Sequence, residues 1–320
     1  MENELSAPDV VICECFARDG LQHEAQFVPT QAKVNVIDAF TAAGFRRIEA
    51  TSYSHPVRVP AFSDASDVLA QISRKQGVAY KATCPNRRAV ERAIADRQAG
   101  HGAEELSLLA SASESHTQRN LRTSRAGQWT RIEEMVELAA GRFTLVGVVS
   151  MALGCAIEGS VDPVSVAADV AKFAELGVEL VTIGDTIGAG NPRSVRRLFR
   201  EISSAAPGVK PIAHFHNTRG SALANCMAAL EEGCTMIDSA MGGVGGHPSQ
   251  FSYGGEGFTG NLATEDLVDL LEAQGISTGI DLDAMMKASH LCEEILERPL
   301  HSMVARAGLA TQALGAKLDV

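Results

Sequence analysis

Two histidines separated by one residue, His214 and His216, are the side chains of this sequence best placed to bind a metal ion. They close a short apolar run typical of a β-strand, and alternate side chains of a strand share a face. Far upstream, another apolar run ends in Arg18 and Asp19. If the two strand ends meet, imidazoles, carboxylate and guanidinium would bind a divalent cation and an anionic substrate. The alternative is two structural histidines at a strand end.

The chemistry of these ligands indicates which metal would bind. Imidazole and carboxylate ligands with room for further oxygens favour Mg²⁺ or Mn²⁺, and the lack of a thiolate disfavours Zn²⁺. The cation would polarise a hydroxyl or carbonyl oxygen. Arg18 would stabilise an oxygen that becomes negative in the transition state. Such a site suits the cleavage or formation of a carbon–carbon bond through an enolate.

Strand-like and helix-like segments alternate along the chain. The strand-like runs are Val10–Phe16, Arg47–Ser52, Val78–Cys84, Glu105–Ala110, Phe143–Met151, Val178–Ile183, Val209–His214 and Cys234–Ala240. Segments with helical spacing follow them at Thr30–Ala43, Ser63–Arg74, Asn86–Ala99, Thr130–Ala140, Pro163–Leu176, Pro192–Ala206, Gly220–Glu232 and Leu262–Gln274.

This alternation predicts a (β/α)8 TIM barrel formed by residues 1–320 as a single α/β domain. An additional helix at Asp281–Leu296 begins a C-terminal extension over residues 281–320. The alternative architecture is an open doubly wound sheet. It is disfavoured because no glycine-rich dinucleotide-binding turn follows a strand.

Polar residues gather at the predicted C-terminal ends of the strands, where barrel enzymes carry their active sites. The set is Arg18, Asp19, Gln22, Glu49, Asp185, His214, His216, His247 and Asn261. Single members also have structural interpretations: Glu49 could be an ion-pair partner inside the barrel, and Asp185 could cap a turn. The convergence of sequence-distant residues on one face favours a functional site.

Composition and charge exclude several classes of function. The chain is 45% hydrophobic and 21% charged, as is usual for a soluble globular protein. Its net charge of −11 argues against a nucleic-acid partner. An apolar run of about 18 residues and a signal-like N-terminus are both lacking, which predicts a cytoplasmic protein without a membrane segment. Seven scattered cysteines fit reduced thiols, and we interpret Cys13 and Cys15 as buried rather than metal-binding.

A glycine-rich segment, Gly242–His247, follows the eighth predicted strand. It lacks the Lys-Ser/Thr ending of a nucleotide-binding phosphate loop. We interpret it as a flexible connection, or as a lid over the mouth of the barrel.

Seven motifs follow one another along this sequence: Arg18–Gln22, Ile48–Ser52, Ser113–His116, Leu153–Cys155 with Glu158–Gly159, Gly184–Gly188, His214–Thr218 and Gly260–Asp266. They resemble, in the same order, the motifs of the 3-hydroxy-3-methylglutaryl-CoA lyases. The resemblance runs from about Val10 to Leu296. It points to the superfamily of metal-dependent lyases and Claisen-type synthases that use this barrel.

The resemblance implies the cleavage of a 3-hydroxy-3-methylglutaryl thioester into acetyl-CoA and acetoacetate. It implies that Asp19, His214 and His216 bind Mg²⁺ or Mn²⁺, and that Asn261 lies in or near the coordination shell. The substrate would be an acyl-CoA, and the protein is expected to be a homodimer.

The resemblance also assigns roles to the other polar residues. Arg18 would stabilise the enolate oxygen of the departing acetyl thioester. Glu49 and Asp185 would be acidic members of the site, with Asp185 or His214 helping to remove the proton of the substrate hydroxyl.

The substrate would be bound by Gln22, Ser113, Arg119 and Thr186. Arg119, Arg122 and Arg125 are predicted to lie in the loop after the fourth strand, where they could attract the phosphates of CoA. The alternative for these three arginines is a solvated basic loop.

The sequence departs from the lyase pattern at His247. The lyases carry a catalytic cysteine in a Gly-Gly-Cys-Pro turn, whereas this chain has Gly-Gly-His-Pro followed by a longer loop with Phe251, Tyr253 and Phe258. Three interpretations are open: His247 takes over protonation, since a histidine is a competent acid at neutral pH; the longer loop reshapes the pocket for another hydroxyacyl thioester; or His247 is inert and lyase activity is weak or absent.

Two alternatives to a lyase follow. Asn217 stands where the lyases tend to have aspartate and, with His247, favours a Claisen-type synthase that joins acetyl-CoA to a 2-oxo acid. The missing cysteine favours a non-catalytic ligand-binding barrel. The intact predicted metal ligands disfavour that second alternative.

Overall fold

The computed structural model describes residues 7–246 and 260–310. Within them, eight parallel strands close into a barrel in sequential order, with the last strand paired to the first. The strands are β1 (Val11–Glu14), β2 (Arg47–Ser52), β3 (Ala79–Cys84), β4 (Glu105–Ser111), β5 (Thr144–Ser150), β6 (Leu180–Asp185), β7 (Lys210–Phe215) and β8 (Met236–Ser239). The predicted (β/α)8 TIM barrel is confirmed.

Eight α-helices lie on the connections between strands, and three more follow β8 in the described residues. They are α1 (Thr30–Ala43), α2 (Ala65–Gln71), α3 (Arg87–Gln98), α4 (Glu114–Leu121), α5 (Arg125–Ala139), α6 (Pro163–Glu175), α7 (Pro192–Ala205), α8 (Ala222–Glu231), α9 (Thr264–Ala273), α10 (Leu282–Leu296) and α11 (Val304–Ala307). Helix α10 matches the predicted additional helix and packs against α1. Of the predicted extension, residues 311–320 lie outside the described ranges.

Both faces of the barrel strands are buried, as expected where helices cover a parallel sheet. All six residues of β2 are buried. Two of them, Arg47 and Glu49, carry charges, and Arg47 reaches Glu105 on β4 across the intervening β3. The inner face of the barrel therefore contains ionised side chains in addition to apolar ones.

The segment after β4 differs from the prediction. It forms helix α4 instead of an irregular loop, because the Ser113 hydroxyl accepts a hydrogen bond from the backbone N–H of His116 at 3.1 Å and so caps the first turn. Arg119 lies on α4, Arg122 ends it in a left-handed conformation, and Arg125 begins α5. The three arginines therefore do not share one flexible loop.

In the described ranges, every helix is too short or too polar to cross a lipid bilayer.

Candidate metal centre

A π-helical turn, Phe16–Gly20, leads the chain out of β1 and carries Arg18 and Asp19. The buried carboxyl group of Glu14 holds the start of this turn, because one of its oxygens accepts a hydrogen bond from the Phe16 N–H at 2.9 Å. Asp19 is thus placed by a turn just beyond the strand. Strand β1 positions the turn at the C-terminal end of the barrel.

The two histidines lie at the end of β7, beside that turn. Their Nε2 atoms approach each other to 3.2 Å. Together with Asp19 they form a group in which each residue offers one ligand atom within 4.8 Å of the others. The sequence predicted this grouping, and the structure brings the three residues together.

A contact with Asp238 orients His214 toward the centre of this group. Its Nδ1 atom lies 3.3 Å from Oδ2 of the buried Asp238. A carboxylate on one ring nitrogen is the usual outer partner of a metal-binding histidine, because it fixes the tautomer and leaves the other nitrogen to face the metal. Two converging imidazole nitrogens and a carboxylate therefore fit Mg²⁺, Mn²⁺ or Zn²⁺ in their ligand types.

Arg18 links Asp19 to a second acid. Its guanidinium contacts Asp19 Oδ1 at 3.0 Å and Glu49 Oε2 at 2.8 Å. Burial opposes ionisation of Asp19, yet Arg18 and the two nearby imidazoles hold the pKa of its carboxyl group far below the ordinary value. Asp19 is consequently a carboxylate at neutral pH, as metal binding requires.

Asn261 and Gln22 complete the surroundings of Asp19. The side-chain amide of Asn261 donates to Asp19 Oδ2 at 2.6 Å and to the carbonyl of Val244 at 3.0 Å. Gln22 accepts a hydrogen bond from Arg18 at 3.3 Å. Asn261 is therefore beside the predicted ligands, and Gln22 lies next to the guanidinium.

Beneath these groups lies a layer of buried charges that sequence reasoning missed. Lys81 on β3 lies 3.8 Å from Glu49 Oε1 and 3.5 Å from Asp238 Oδ2. Burial opposes ionisation of Asp238, but Lys81 and His214 lower the pKa of its carboxyl group far below the ordinary value. One signal was available: Lys81 and Asp238 are charged residues within apolar strand segments, where burial requires a partner.

The glycine-rich segment after β8 is anchored at its start. The backbone N–H of Met241 donates to Glu14 at 3.0 Å, and that of Gly242 donates to both carboxylate oxygens of Glu265, at 2.9 and 3.0 Å. Gly245 has a φ of +88°, and a Cβ atom there would lie 2.5 Å from the carbonyl oxygen of Asp19. Residues 241–246 are therefore anchored and packed in the structure, and the interpretation of Gly242–His247 as a flexible connection stays a prediction.

That close approach explains why glycine is needed next to Asp19. The backbone that leads toward His247 packs directly against the turn that carries Asp19. His247 itself, together with Phe251, Tyr253 and Phe258, lies outside the described residues.

Asp185 is the last residue of β6, which is adjacent to β7 in the barrel, and Thr186 follows it. The Asp185 carboxylate accepts hydrogen bonds from the N–H groups of Ala189 and Gly190, both at 2.9 Å, so it does cap a turn. Burial raises the pKa of Asp185 despite these hydrogen bonds. Thr186 accepts a hydrogen bond from the Met151 N–H at 2.9 Å.

The predicted substrate-binding residues on the β4 side are not in contact with the metal ligands in the described interactions. Ser113 is fully buried and accepts a hydrogen bond from the thiol of Cys155 at 3.1 Å. Arg119 lies on the exposed side of α4. Arg125 pairs with Asp169 at 2.5 Å and bonds to the backbone, which indicates a structural role for that arginine.

Comparisons with known proteins identify a family and similar sequences. The model of the family described as HMGL-like matches residues 9–292. The mitochondrial hydroxymethylglutaryl-CoA lyase of Rattus norvegicus is 38% identical over 299 residues, covering 93% of this chain and 89% of that protein. The 3-hydroxy-3-isohexenylglutaryl-CoA/hydroxymethylglutaryl-CoA lyase of Pseudomonas aeruginosa is 36% identical over 302 residues, covering 94% and 97%.

A solved structure is similar over a comparable length. It is an HMG-CoA lyase from Acinetobacter baumannii in complex with coenzyme A and 3-methylmalate, with a TM-score of 0.88 and 36% identity. The match covers 96% of this chain and 98% of that one.

Proposed function

The chain belongs to the HMGL-like family, and from that premise we propose that it is a carbon–carbon lyase that cleaves 3-hydroxy-3-methylglutaryl-CoA, or a related 3-hydroxy-3-carboxylic acyl-CoA, to acetyl-CoA and a keto acid. The observation that carries this proposal is the meeting of Asp19, His214 and His216 at the mouth of the barrel, beside the paired Arg18 and Glu49. The similarity to lyases over nearly the whole length of the chain supports it.

Asp19, His214 and His216 would hold the divalent cation, with Asn261 next to them. When bound, the cation would supply Lewis-acid polarisation of substrate oxygens. We propose Mg²⁺ or Mn²⁺ because the ligand group contains no thiolate.

Arg18 is proposed to stabilise the enolate oxygen of the departing acetyl thioester. Burial disfavours the charged guanidinium of Arg18, but Glu49 and Asp19 outweigh burial and raise the pKa of Arg18 above its ordinary value. Arg18 is therefore a cation at neutral pH. Glu49 also accepts a hydrogen bond from Thr83 at 2.9 Å, so the acid that orients Arg18 is itself held in place. Donors that are fixed before the reaction stabilise developing charge most effectively.

Asp185 is proposed to help remove the proton of the substrate hydroxyl. Its carboxylate is fixed by two backbone amides, and each oxygen retains a further lone pair that can accept a proton. The raised pKa brings the group closer to neutral pH, which favours a general base. His214 is the less suitable base, because its Nδ1 faces Asp238 and its Nε2 faces the metal ligands.

We also propose which residues contact the substrate and which residue makes the final proton transfer. The acyl-CoA is proposed to be bound by Gln22, Ser113, Arg119 and Thr186. His247 is proposed to protonate the enolate carbon in place of the family's cysteine.

The alternative of a Claisen-type synthase depended partly on Asn217. In the structure, Asn217 accepts a hydrogen bond from the Ala222 N–H at 3.1 Å at the start of α8, a structural role that gives the condensing direction no support.

Two further proposals concern the state of the protein in the cell. All seven cysteines are free and buried, which supports a reducing compartment, here proposed as the cytoplasm. The homodimer is proposed from the family resemblance, and sedimentation equilibrium should give twice the mass of one chain.

The test is turnover by the purified protein. With Mn²⁺ or Mg²⁺, it should release acetyl-CoA from at least one member of a panel of tertiary 3-hydroxyacyl thioesters, beginning with 3-hydroxy-3-methylglutaryl-CoA. Chelation should stop the reaction, and adding each metal back separately identifies the one that is used. Absence of turnover across the panel, or release of free CoA only when a 2-oxo acid and acetyl-CoA are supplied, would overturn the proposal.

A further inference from the structure

The ligand group at the mouth of the barrel has two separate supports. On one side, Glu49 holds Arg18 at 2.8 Å, and Arg18 holds Asp19 at 3.0 Å. On the other side, Asp238 contacts the Nδ1 atom of His214 at 3.3 Å. Each support starts from one buried carboxylate inside the barrel.

Lys81 lies between these two carboxylates. Its Nζ atom is 3.8 Å from Glu49 Oε1 and 3.5 Å from Asp238 Oδ2, and the side chain is 2% exposed. Lys81 comes from β3, whereas Glu49 comes from β2 and Asp238 from β8. The ammonium group therefore connects strands on both sides of β1, which leads to the turn that carries Asp19.

The two buried acidic groups, Glu49 and Asp238, require a cation between them. Two carboxylates buried in one barrel interior repel each other unless a cation neutralises them. Burial lowers the pKa of the Lys81 ammonium group, but Asp238 and the other nearby acidic groups outweigh burial and raise it well above the ordinary value. The surrounding acidic groups thus favour the charged ammonium form of Lys81.

We propose that Lys81 is a positioning residue for the metal centre: its ammonium group joins the support of Asp19 to the support of His214 and so sets the distance between the metal ligands. This inference rests on the proposed metal-dependent function. Lys81 acts through Glu49 and Asp238 and touches none of the three ligands in the described contacts.

The experiment measures Mn²⁺ binding to the purified apoprotein by calorimetry, with unfolding followed separately. Lys81→Met keeps the apolar length of the side chain and removes the charge. It should raise the Kd for Mn²⁺ at least about tenfold, the effect expected when an outer partner of a metal ligand is lost. Lys81→Arg, which keeps the charge, should recover most of the affinity.

The direction of the change separates the explanations. A cation near the site repels Mn²⁺, so the loss of its charge alone predicts tighter binding in Lys81→Met. The positioning role predicts weaker binding. A purely structural role predicts a lower Tm with an unchanged Kd. Tighter or unchanged binding would therefore overturn the inference.

Lys33 provides a matched control. It is also 2% exposed and pairs with Asp64 at 2.7 Å, but on the outer side of the barrel between α1 and α2. Lys33→Met should lower the Tm and leave the Kd for Mn²⁺ unchanged. A rise in Kd equal to that of Lys81→Met would mean that losing any buried lysine suffices, which contradicts the inference.

A second variant covers the case in which Lys81→Met does not fold. The double change Lys81→Met with Asp238→Asn removes a charge of each sign and leaves the interior balanced. Because Lys81 acts in part through Asp238, the double variant should lose less affinity than the two single effects would predict if added. If Lys81→Met is insoluble, the comparison of the double variant with Asp238→Asn alone decides. A further loss of tenfold or more, as large as the whole effect expected of Lys81→Met, would show that Lys81 does not act by joining the two supports, contrary to the inference.

Failure of this inference can be distinguished from failure of the proposed function. If the wild-type protein binds no Mn²⁺, the metal-dependent function fails and the positioning role fails with it. If the wild-type protein binds Mn²⁺ and Lys81→Met binds it equally well, the metal site stands and only the role of Lys81 is wrong.

Discussion

The barrel holds buried charges at both of its ends, and the two groups are built differently. At the N-terminal end, Arg47 and Glu105 form a pair whose three contacts measure 2.8 to 3.2 Å. At the C-terminal end, the carboxylates of Glu49 and Asp238 each contact two cationic or imidazole groups at 2.8 to 3.8 Å. Strand β2 supplies a member to each group, Arg47 to the first and Glu49 to the second.

The two groups differ in how far their contacts extend. In the N-terminal pair, a bidentate geometry pairs one guanidinium with one carboxylate, so the described hydrogen bonds of this pair end with those two residues, while the charge of Arg47 also helps to lower the pKa of Asp238. In the C-terminal group, contacts continue from residue to residue until they reach Asp19 and the two histidines, whose ligand atoms converge within 4.8 Å. We infer that the pair supports stability and the C-terminal group supports chemistry, as the two ends of such barrels generally do.

The largest expected effect is on catalysis, from Asp19→Asn. The substitution removes the only carboxylate among the three predicted metal ligands of the described group. Since a bound metal ion contributes several kcal/mol to a transition state, kcat should fall about a thousandfold or more. Steady-state kinetics with saturating Mn²⁺ provides the measurement, and circular dichroism verifies that the fold is retained.

Asp64→Asn is the control for this substitution. Asp64 is also buried and also ion-paired, but with Lys33 and far along the chain from the ligands. It should cost stability and leave kcat nearly unchanged. A comparable loss of kcat in both variants would contradict the distinction between buried charges that stabilise the fold and buried charges that serve the reaction.

The next effect concerns stability, from Arg47→Met. The change leaves the Glu105 carboxylate buried without its partner, so the free energy of unfolding should drop by about 3–5 kcal/mol. Urea unfolding measures the loss. Arg47→Met with Glu105→Leu removes both charges and should recover much of the stability, while kcat of the folded protein changes far less than in Asp19→Asn. If the single substitution abolished turnover without loss of stability, the N-terminal pair would belong to the chemistry after all.

The sequence predicted the barrel and the grouping of Asp19, His214 and His216 because both depend on local patterns. Alternating runs identify strands, and polar residues at strand ends identify the mouth of a barrel. Lys81 and Asp238 were missed because their partners become neighbours only when the barrel closes across several strands. Asp185 is a local case: the sequence allowed it to cap a turn, and its two oxygens accept hydrogen bonds from Ala189 and Gly190, only four and five residues along the chain.

The anchoring of the glycine-rich segment could not be predicted either. It depends on Glu14 and Glu265, which lie near opposite ends of the chain. No local sequence pattern therefore indicates that both accept hydrogen bonds from this segment. The proximity of Gly245 to Asp19 likewise depends on the path of the backbone after β8.

The effect that is smallest per pH unit tests whether position in the barrel or the pattern of contacts separates the two groups of charges. Glu14 lies at the C-terminal end of β1, yet its contacts close on fixed donors: Phe16, Met241 and the Thr264 hydroxyl. Burial, which outweighs these hydrogen bonds, raises the pKa of its carboxyl group from 4.5 to about 8. Glu14 therefore resembles the N-terminal pair in its contacts and the metal centre in its location.

The raised pKa of Glu14 determines how stability should depend on pH. Between pH 4.5 and about 8, the folded protein holds a proton on Glu14 that the unfolded chain has released. The stability gained is fully present below the lower value and is lost as pH rises through the upper one. For this group alone, the free energy of unfolding should fall by up to about 1.4 kcal/mol per pH unit across that window. Glu14→Gln, which stays uncharged, should show a shallower decline in urea unfolding at pH 5, 6, 7 and 8, with a chelator present so that metal binding contributes nothing. Equal slopes in the two proteins would show that Glu14 is ionised in the folded protein. Its location at the mouth of the barrel would then determine its charge more than its contacts, which end at fixed donors.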